Sequence, residues 1–133
     1  MKTTKIWKCR ACGMVLEEVV SCGNDGTCIP ECCGKPLFEC KPGVSDGAME
    51  KHVPVFEKTS SGVKVSVGSV LHPMTPEHHI VWIEIIVPDG RVFRKYLDQA
   101  ASPEAFFDFI PEPGSVIREY CNLHGLWIAE VKA

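Results

Sequence analysis

No apolar run in this 133-residue chain approaches the roughly 18 residues that a membrane-spanning helix needs. The longest, Ile80 to Val87, is broken by Glu84 and reads as a buried strand. No glycine-rich phosphate loop or dinucleotide fingerprint is present, which argues against nucleotide chemistry. Positive charge is not in excess either. With 14 Lys and Arg against 17 Asp and Glu, the net charge is -3, and the basic patch of a nucleic-acid partner is missing. Internal repeats and low-complexity segments are absent. The start, Met1-Lys2-Thr3-Thr4-Lys5, is basic, but Ile6-Trp7-Lys8-Cys9 is no signal-peptide hydrophobic region, so a cytoplasmic protein is expected. What is present is ordinary for a globular chain: 45% hydrophobic and 23% charged residues. The length suits one domain, or a small one joined to a very small one.

Cysteine is the exception. There are eight, seven of them between residues 9 and 40. In a reducing compartment such a cluster points to metal rather than to a disulfide framework. A segment of about 40 residues seldom folds alone without a staple, and metal is the expected one. Cys9-Arg10-Ala11-Cys12-Gly13 is a C-x-x-C-G knuckle, and Cys32-Cys33-Gly34 supplies a second pair. Together they predict a tetrahedral four-thiolate site for zinc or a single iron. Spacing alone favours a zinc ribbon. The adjacency of Cys32 and Cys33, which cannot splay as a knuckle does, favours iron. In this pattern Cys9, Cys12, Cys32 and Cys33 resemble the ligands of the desulforedoxin type of rubredoxin-like centre. The intervening loop is long for that type, and Cys28-Ile29-Pro30-Glu31-Cys32 offers a competing pair. Cys22, Cys28 and Cys40 are expected to be reduced, structural thiols.

Lys41-Pro42-Gly43-Val44-Ser45-Asp46-Gly47 has linker composition and divides the chain into domains 1–40 and 41–133. Beyond it the pattern is strand and turn. Val63-Lys64-Val65-Ser66-Val67 alternates with period two. Pro88-Asp89-Gly90 predicts a hairpin between Val81–Val87 and Arg91–Leu97. Pro103 to Ile110 fits a short helix or an aromatic strand. Val116–Tyr120 and Leu126–Val131 predict two strands joined by a metal-binding turn. The expected fold is all-β, with an immunoglobulin-like antiparallel sandwich after the metal-binding knuckle domain.

That last turn, Cys121-Asn122-Leu123-His124-Gly125, sets a thiolate and an imidazole three residues apart. The remaining four histidines are His52, His72, His78 and His79, the last three around the proline-stiffened loop His72-Pro73-Met74-Thr75-Pro76-Glu77-His78-His79. Glu50-Lys51-His52-Val53-Pro54, His72-Pro73-Met74, His78 and Glu119-Tyr120-Cys121-Asn122-Leu123-His124-Gly125 together resemble desulfoferrodoxin, the two-iron form of superoxide reductase. The resemblance covers nearly the whole chain, the amino-terminal knuckle included.

It implies a catalytic iron held by His52, His72, His78 and His124 in a plane, with Cys121 axial and the opposite position open. It also implies a second iron in the four-cysteine site, where zinc remains the alternative. Lys51 is expected to add positive charge and organise proton delivery, and Glu50 to fill the open position in the resting oxidised state. His79 stands where an aromatic residue is expected and is read as a neighbour of the site or a surface residue, or as exchanging roles with His78. Superoxide would be the substrate, rubredoxin or a similar protein the electron donor, and a homodimer the assembly. Two other readings stay open: an electron carrier using only the four-cysteine centre, and a zinc-stabilised binding module.

Overall fold

Period-two alternation, not helical periodicity, governs this chain, and a computed structural model contains strands as its only regular elements among the residues it describes, 3–23, 28–43, 52–68 and 70–132. Two compact units form, Lys2–Lys41 and Pro42–Ala133.

In the first unit β1 (Lys5–Lys8) lies between β2 (Val15–Glu18) and β5 (Phe38–Glu39), antiparallel to both. A minimal hairpin, β3 (Glu31–Cys32) with β4 (Lys35–Pro36), sits outside that sheet. Among the described residues, one apolar cluster here joins Trp7, Cys9 and Leu37, with Leu16 and Cys32 packed against it, and Ile6 and Cys40 are buried besides. So few side chains cannot offset the entropy of ordering the unit, and two of them bear the thiols of the predicted metal site.

One expectation fails in this unit. Cys22 and Cys28, predicted to be reduced thiols, are joined as a disulfide. Their Cα atoms lie 5.9 Å apart, within bridging range. Reasoning from compartment could not anticipate that local approach. Cys28 is thereby withdrawn from the competing pair with Cys32. Cys40 does remain a buried free thiol, and burial raises its pKa.

The second unit is a sandwich of two antiparallel sheets. One has the order β10-β7-β6, from β6 (Pro54–Lys58), β7 (Val63–Val67) and β10 (Glu104–Phe107). The other has the order β12-β11-β8-β9, from β8 (Ile80–Ile86), β9 (Val92–Tyr96), β11 (Val116–Cys121) and β12 (Gly125–Glu130). This is the immunoglobulin-like architecture predicted by the strand spacing. Val63, Val65 and Val67 from one sheet meet Ile83, Ile85 and Ile117 from the other in a single core. The hairpin of β8 and β9 closes through Gly90, whose φ of +97° suits glycine, with Gly90 N–H donating to Val87 O. The segment with two possible readings resolves as strand β10: Ala105 and Phe107 are buried and Phe106 is exposed, a two-residue period.

Glu84, which interrupts the apolar run, is fully buried in the middle of β8. Its register neighbours are Arg94 on β9 and Arg118 on β11. Oε1 accepts from Arg94 Nε at 2.7 Å, and Oε2 accepts from Arg118 Nε at 2.7 Å. The two guanidinium groups also lie over Trp82, 4.4 and 5.9 Å from its ring centroid. A charge inside a strand that reads as apolar is thus satisfied across both neighbouring strands.

Candidate metal centres

β11 ends at Cys121 and β12 begins at Gly125, directly opposite in register, so Asn122-Leu123-His124 forms a tight connection. Gly125 takes a φ of +80° to close it. A register irregularity between Tyr120 and Cys121 on the β8 side displaces the cysteine from the regular ladder. Cys121 is wholly buried, and His124 N–H donates to its sulfur at 3.4 Å.

Four imidazoles gather over this sulfur. Ring centroids run 4.8 Å from His52 to His72, 4.5 Å from His72 to His78, 4.9 Å from His78 to His124 and 4.8 Å from His124 back to His52. The His52 to His78 diagonal is 6.4 Å, close to that of a square with such sides. Each ring stands edge-on to the next, at 66° to 81°. The donor atoms of His52, His72, His78 and Cys121 all lie within 4.8 Å of one another. His124 Nδ1 is 3.1 Å from His52 Nε2 and 3.9 Å from Cys121 Sγ, and His72 Nε2 is 3.5 Å from that sulfur.

This donor set fits a transition-metal ion. Adjacent nitrogens at right angles round a metal with bonds of roughly 2.1 Å stand about 3 Å apart, as His52 and His124 do. Imidazole with thiolate suits zinc, copper, iron or nickel. His72 Nδ1 donates to Pro73 O at 2.7 Å, which fixes the tautomer and leaves Nε2 as the donor facing the cluster. His52 and His72 are buried, His78 is half-buried and His124 exposed, so the group opens to solvent on the His78 and His124 side.

Three supporting residues escaped the sequence reading in this role. Trp127 stacks on His52 at 4.8 Å and 14°, and its Nε1–H donates to His124 O at 3.1 Å. Gly43 runs across that indole: a Cβ there would lie 2.5 Å from Trp127 Cε3. Asn122 fastens the turn to the histidine loop, with Nδ2–H donating to Glu77 O and Oδ1 accepting from His79 N–H. Thus both peptide groups around His78 are tied to the turn that carries Cys121. The available signal was an amide residue inside the cysteine and histidine turn, and an indole three residues beyond His124. Trp127→Ala should weaken metal retention at this cluster about 10- to 100-fold, the usual effect of losing an outer-shell partner. Competition against a chelator measures it; unchanged retention would show that the stack does not orient His52.

His79 is neither on the surface nor in the ring square. It is buried, and its Nδ1–H donates to Thr75 O at 2.8 Å. Glu50 and Lys51 lie outside the described residues.

The second cluster is Cys9, Cys12, Cys32 and Cys33. Gly13, with φ of +82°, turns the knuckle, and its N–H donates to Cys9 O at 2.8 Å. Cys33 reaches the cluster from a left-handed φ of 54°, a conformation uncommon outside glycine, which swings adjacent cysteines toward one point. Sulfur separations are 3.6 Å from Cys12 to Cys32 and 3.7 Å from Cys32 to Cys33. A tetrahedron of 2.3 Å metal–sulfur bonds has edges of about 3.8 Å, so the spacing fits a metal. The Cys12 N–H holds the Cys9 thiol down to about 6, while sharing hydrogen bonds with Cys12 and Cys9 pushes Cys32 up to about 12. Four thiols this close resist ionising together until a cation joins them.

A desulfoferrodoxin family model matches residues 44–130. The chain is 50% identical over 126 residues to a desulfoferrodoxin of Nitratidesulfovibrio vulgaris, with 95% of each covered. It is 44% identical over 100 residues to a superoxide reductase of Pyrococcus horikoshii, spanning 62% of this chain and 87% of that one. Among solved structures, the superoxide reductase from Treponema pallidum aligns with a TM-score of 0.72 at 28% identity, covering 98% of this chain and 100% of its own.

Proposed function

We propose a function on the premise that this chain belongs to the desulfoferrodoxin family: it is a superoxide reductase, converting superoxide, one electron and two protons into hydrogen peroxide. The observation that carries this is the square of four imidazoles above one buried thiolate. His52, His72, His78, His124 and Cys121 would hold iron, which when bound supplies a one-electron couple and an attractive position for an anion.

The chain's own residues shape that chemistry. Neutral imidazoles add no charge, and a single thiolate does not cancel that of a divalent cation, so the site draws anions. Fields of this sign can raise association toward roughly 10⁸ to 10⁹ M⁻¹s⁻¹. Cys121 would lend electron density to a bound iron, as cysteinate does in haem enzymes, and the His124 N–H that donates to its sulfur would moderate it. Lys51, next to His52 in sequence, adds positive charge and orders water for proton delivery. Its ammonium is too weak an acid to act directly at neutral pH. Glu50, two residues before His52 in sequence, would offer its carboxylate to the oxidised iron. Cys9, Cys12, Cys32 and Cys33 would hold a second iron in domain 1–40, with zinc the alternative, and domain 41–133 is catalytic. Turnover needs an external electron donor such as rubredoxin; the protein works in the cytoplasm as a homodimer.

Metal analysis and a superoxide pulse on anaerobically reduced protein test the reading. Two irons per chain, and peroxide formed without oxygen, are expected. Oxygen evolution would indicate a dismutase, and a colourless zinc protein a binding module. Lys51→Ala should slow superoxide consumption and flatten its dependence on ionic strength; stopped-flow rates across a salt series measure both. An unchanged rate would leave Lys51 a solvated surface residue.

A further inference from the structure

Cys22 and Cys28 belong to neither metal cluster, yet they are bonded to each other in the unit that holds four free thiols for metal. In a reducing compartment a disulfide is usually transient, catalytic or redox-sensing. This one is placed to be reached. Cys28 is exposed and Cys22 half-buried, on a cleft of about 290 Å³ whose wall includes Trp7, Leu16, Ile29 and Pro30. Trp7 and Leu16 also pack against Cys9 and Cys32, so the bridge and the metal-binding sulfurs share their supporting side chains. Cys28 stands four positions before Cys32, and Pro30 O between them accepts from Leu37 N–H at 2.8 Å. The bridge at Cys28 is thus linked through a short backbone segment to the strand that presents Cys32.

We propose that Cys22 and Cys28 form a reversible thiol–disulfide site, oxidised by hydrogen peroxide, that keeps Cys28 from competing for the amino-terminal metal. The peroxide supply rests on the proposed superoxide reduction; the thiol chemistry does not. Cys22 is the first nucleophile, because the Cys28 N–H donates to its sulfur at 3.0 Å and orients it. Its sulfur attacks one peroxide oxygen and the O–O bond breaks. Cys22 becomes a sulfenic acid, and the departing hydroxide takes up the Cys22 proton as water. Cys28 then attacks that sulfur. The S–S bond forms, the S–O bond breaks, and the leaving hydroxide takes the Cys28 proton as a second water. Two thiols thus give two electrons to one peroxide. An external dithiol resets the pair by exchange.

With the bridge open, Cys28 becomes a rival ligand and the segment before Cys32 gains conformational freedom. Metal at the four-cysteine centre should then be lost faster. The test uses the full-length, metal-loaded chain, reduced with a phosphine that is then removed, with half re-oxidised by one equivalent of hydrogen peroxide. Supplying peroxide directly keeps the test independent of whether the chain reduces superoxide. Mass spectrometry should find a Cys22–Cys28 bridge in the treated half only. In the presence of a chelator, alkylation of Cys9, Cys12, Cys32 and Cys33 should be roughly tenfold faster in the reduced half. In a Cys22→Ser/Cys28→Ser chain the two halves should not differ. Equal alkylation rates in the wild-type halves, or oxidation of Cys32 or Cys33 in place of the pair, would overturn the proposal. The decisive comparison is within the wild-type chain, so it stands even if the variant misfolds.

Discussion

Cys121→Ser is expected to abolish superoxide reduction while leaving the amino-terminal centre and the sandwich in place. Serine keeps the shape of the side chain but, at a wholly buried position, its hydroxyl stays protonated. The site would lose its one anionic, strongly donating ligand and keep four neutral imidazoles. The loss should exceed the roughly 10- to 100-fold that follows removal of an outer-shell partner, since a direct ligand is removed. The measurement is superoxide decay after a pulse, with absorption of the four-cysteine centre as an internal control. Turnover at the wild-type rate would show that the sulfur is structural. Loss of both centres together would point to misfolding, and circular dichroism in the strand region separates that case.

The second large effect concerns stability. Glu84→Leu should destabilise the sandwich by about 3–5 kcal/mol, the usual consequence of removing one partner from a buried ion pair. Arg94 retains some access to water, but Arg118 is 1% exposed and would lose the carboxylate that its Nε contacts. Replacing the pair together, Glu84→Leu with Arg118→Leu, should recover most of the loss, because hydrophobic replacement of a whole buried pair is often neutral. Urea unfolding of the two single variants and the double variant measures the cycle. A Glu84→Leu loss below about 1 kcal/mol would mean that the network sets strand register rather than stability.

The run from Ile80 to Val87 shows how the sequence could be read and where the reading stopped. Alternation identified the strand, since period two is a local property of extended backbone. What Glu84 was doing there was not legible, because Arg94 and Arg118 reach it only after three strands pair in register. Trp127 is a similar case. It read as one residue of a strand, and became a support for His52 only when residues 75 apart in the chain were stacked face to face. Cys22 and Cys28 are the clearest miss: the composition argued for thiols, and the two Cα atoms stand 5.9 Å apart as a bridge.

By itself the sequence determined the strand at Val63–Val67, the hairpin at Pro88-Asp89-Gly90, the strands on either side of the Cys121 turn and the two sets of donor types. Each depends on side-chain period, turn chemistry or composition, which act over a few residues. Only the tertiary structure decided which donors meet. His78 and His79 are adjacent and chemically identical in sequence, yet one ring stands 4.5 Å from His72 and the other turns to Thr75 O. His78 sits in a bend closed by paired backbone hydrogen bonds with Thr75, just before β8 begins at Ile80. Which one faces the thiolate is set by Asn122, whose amide ties the loop to the Cys121 turn from 45 residues away in the chain.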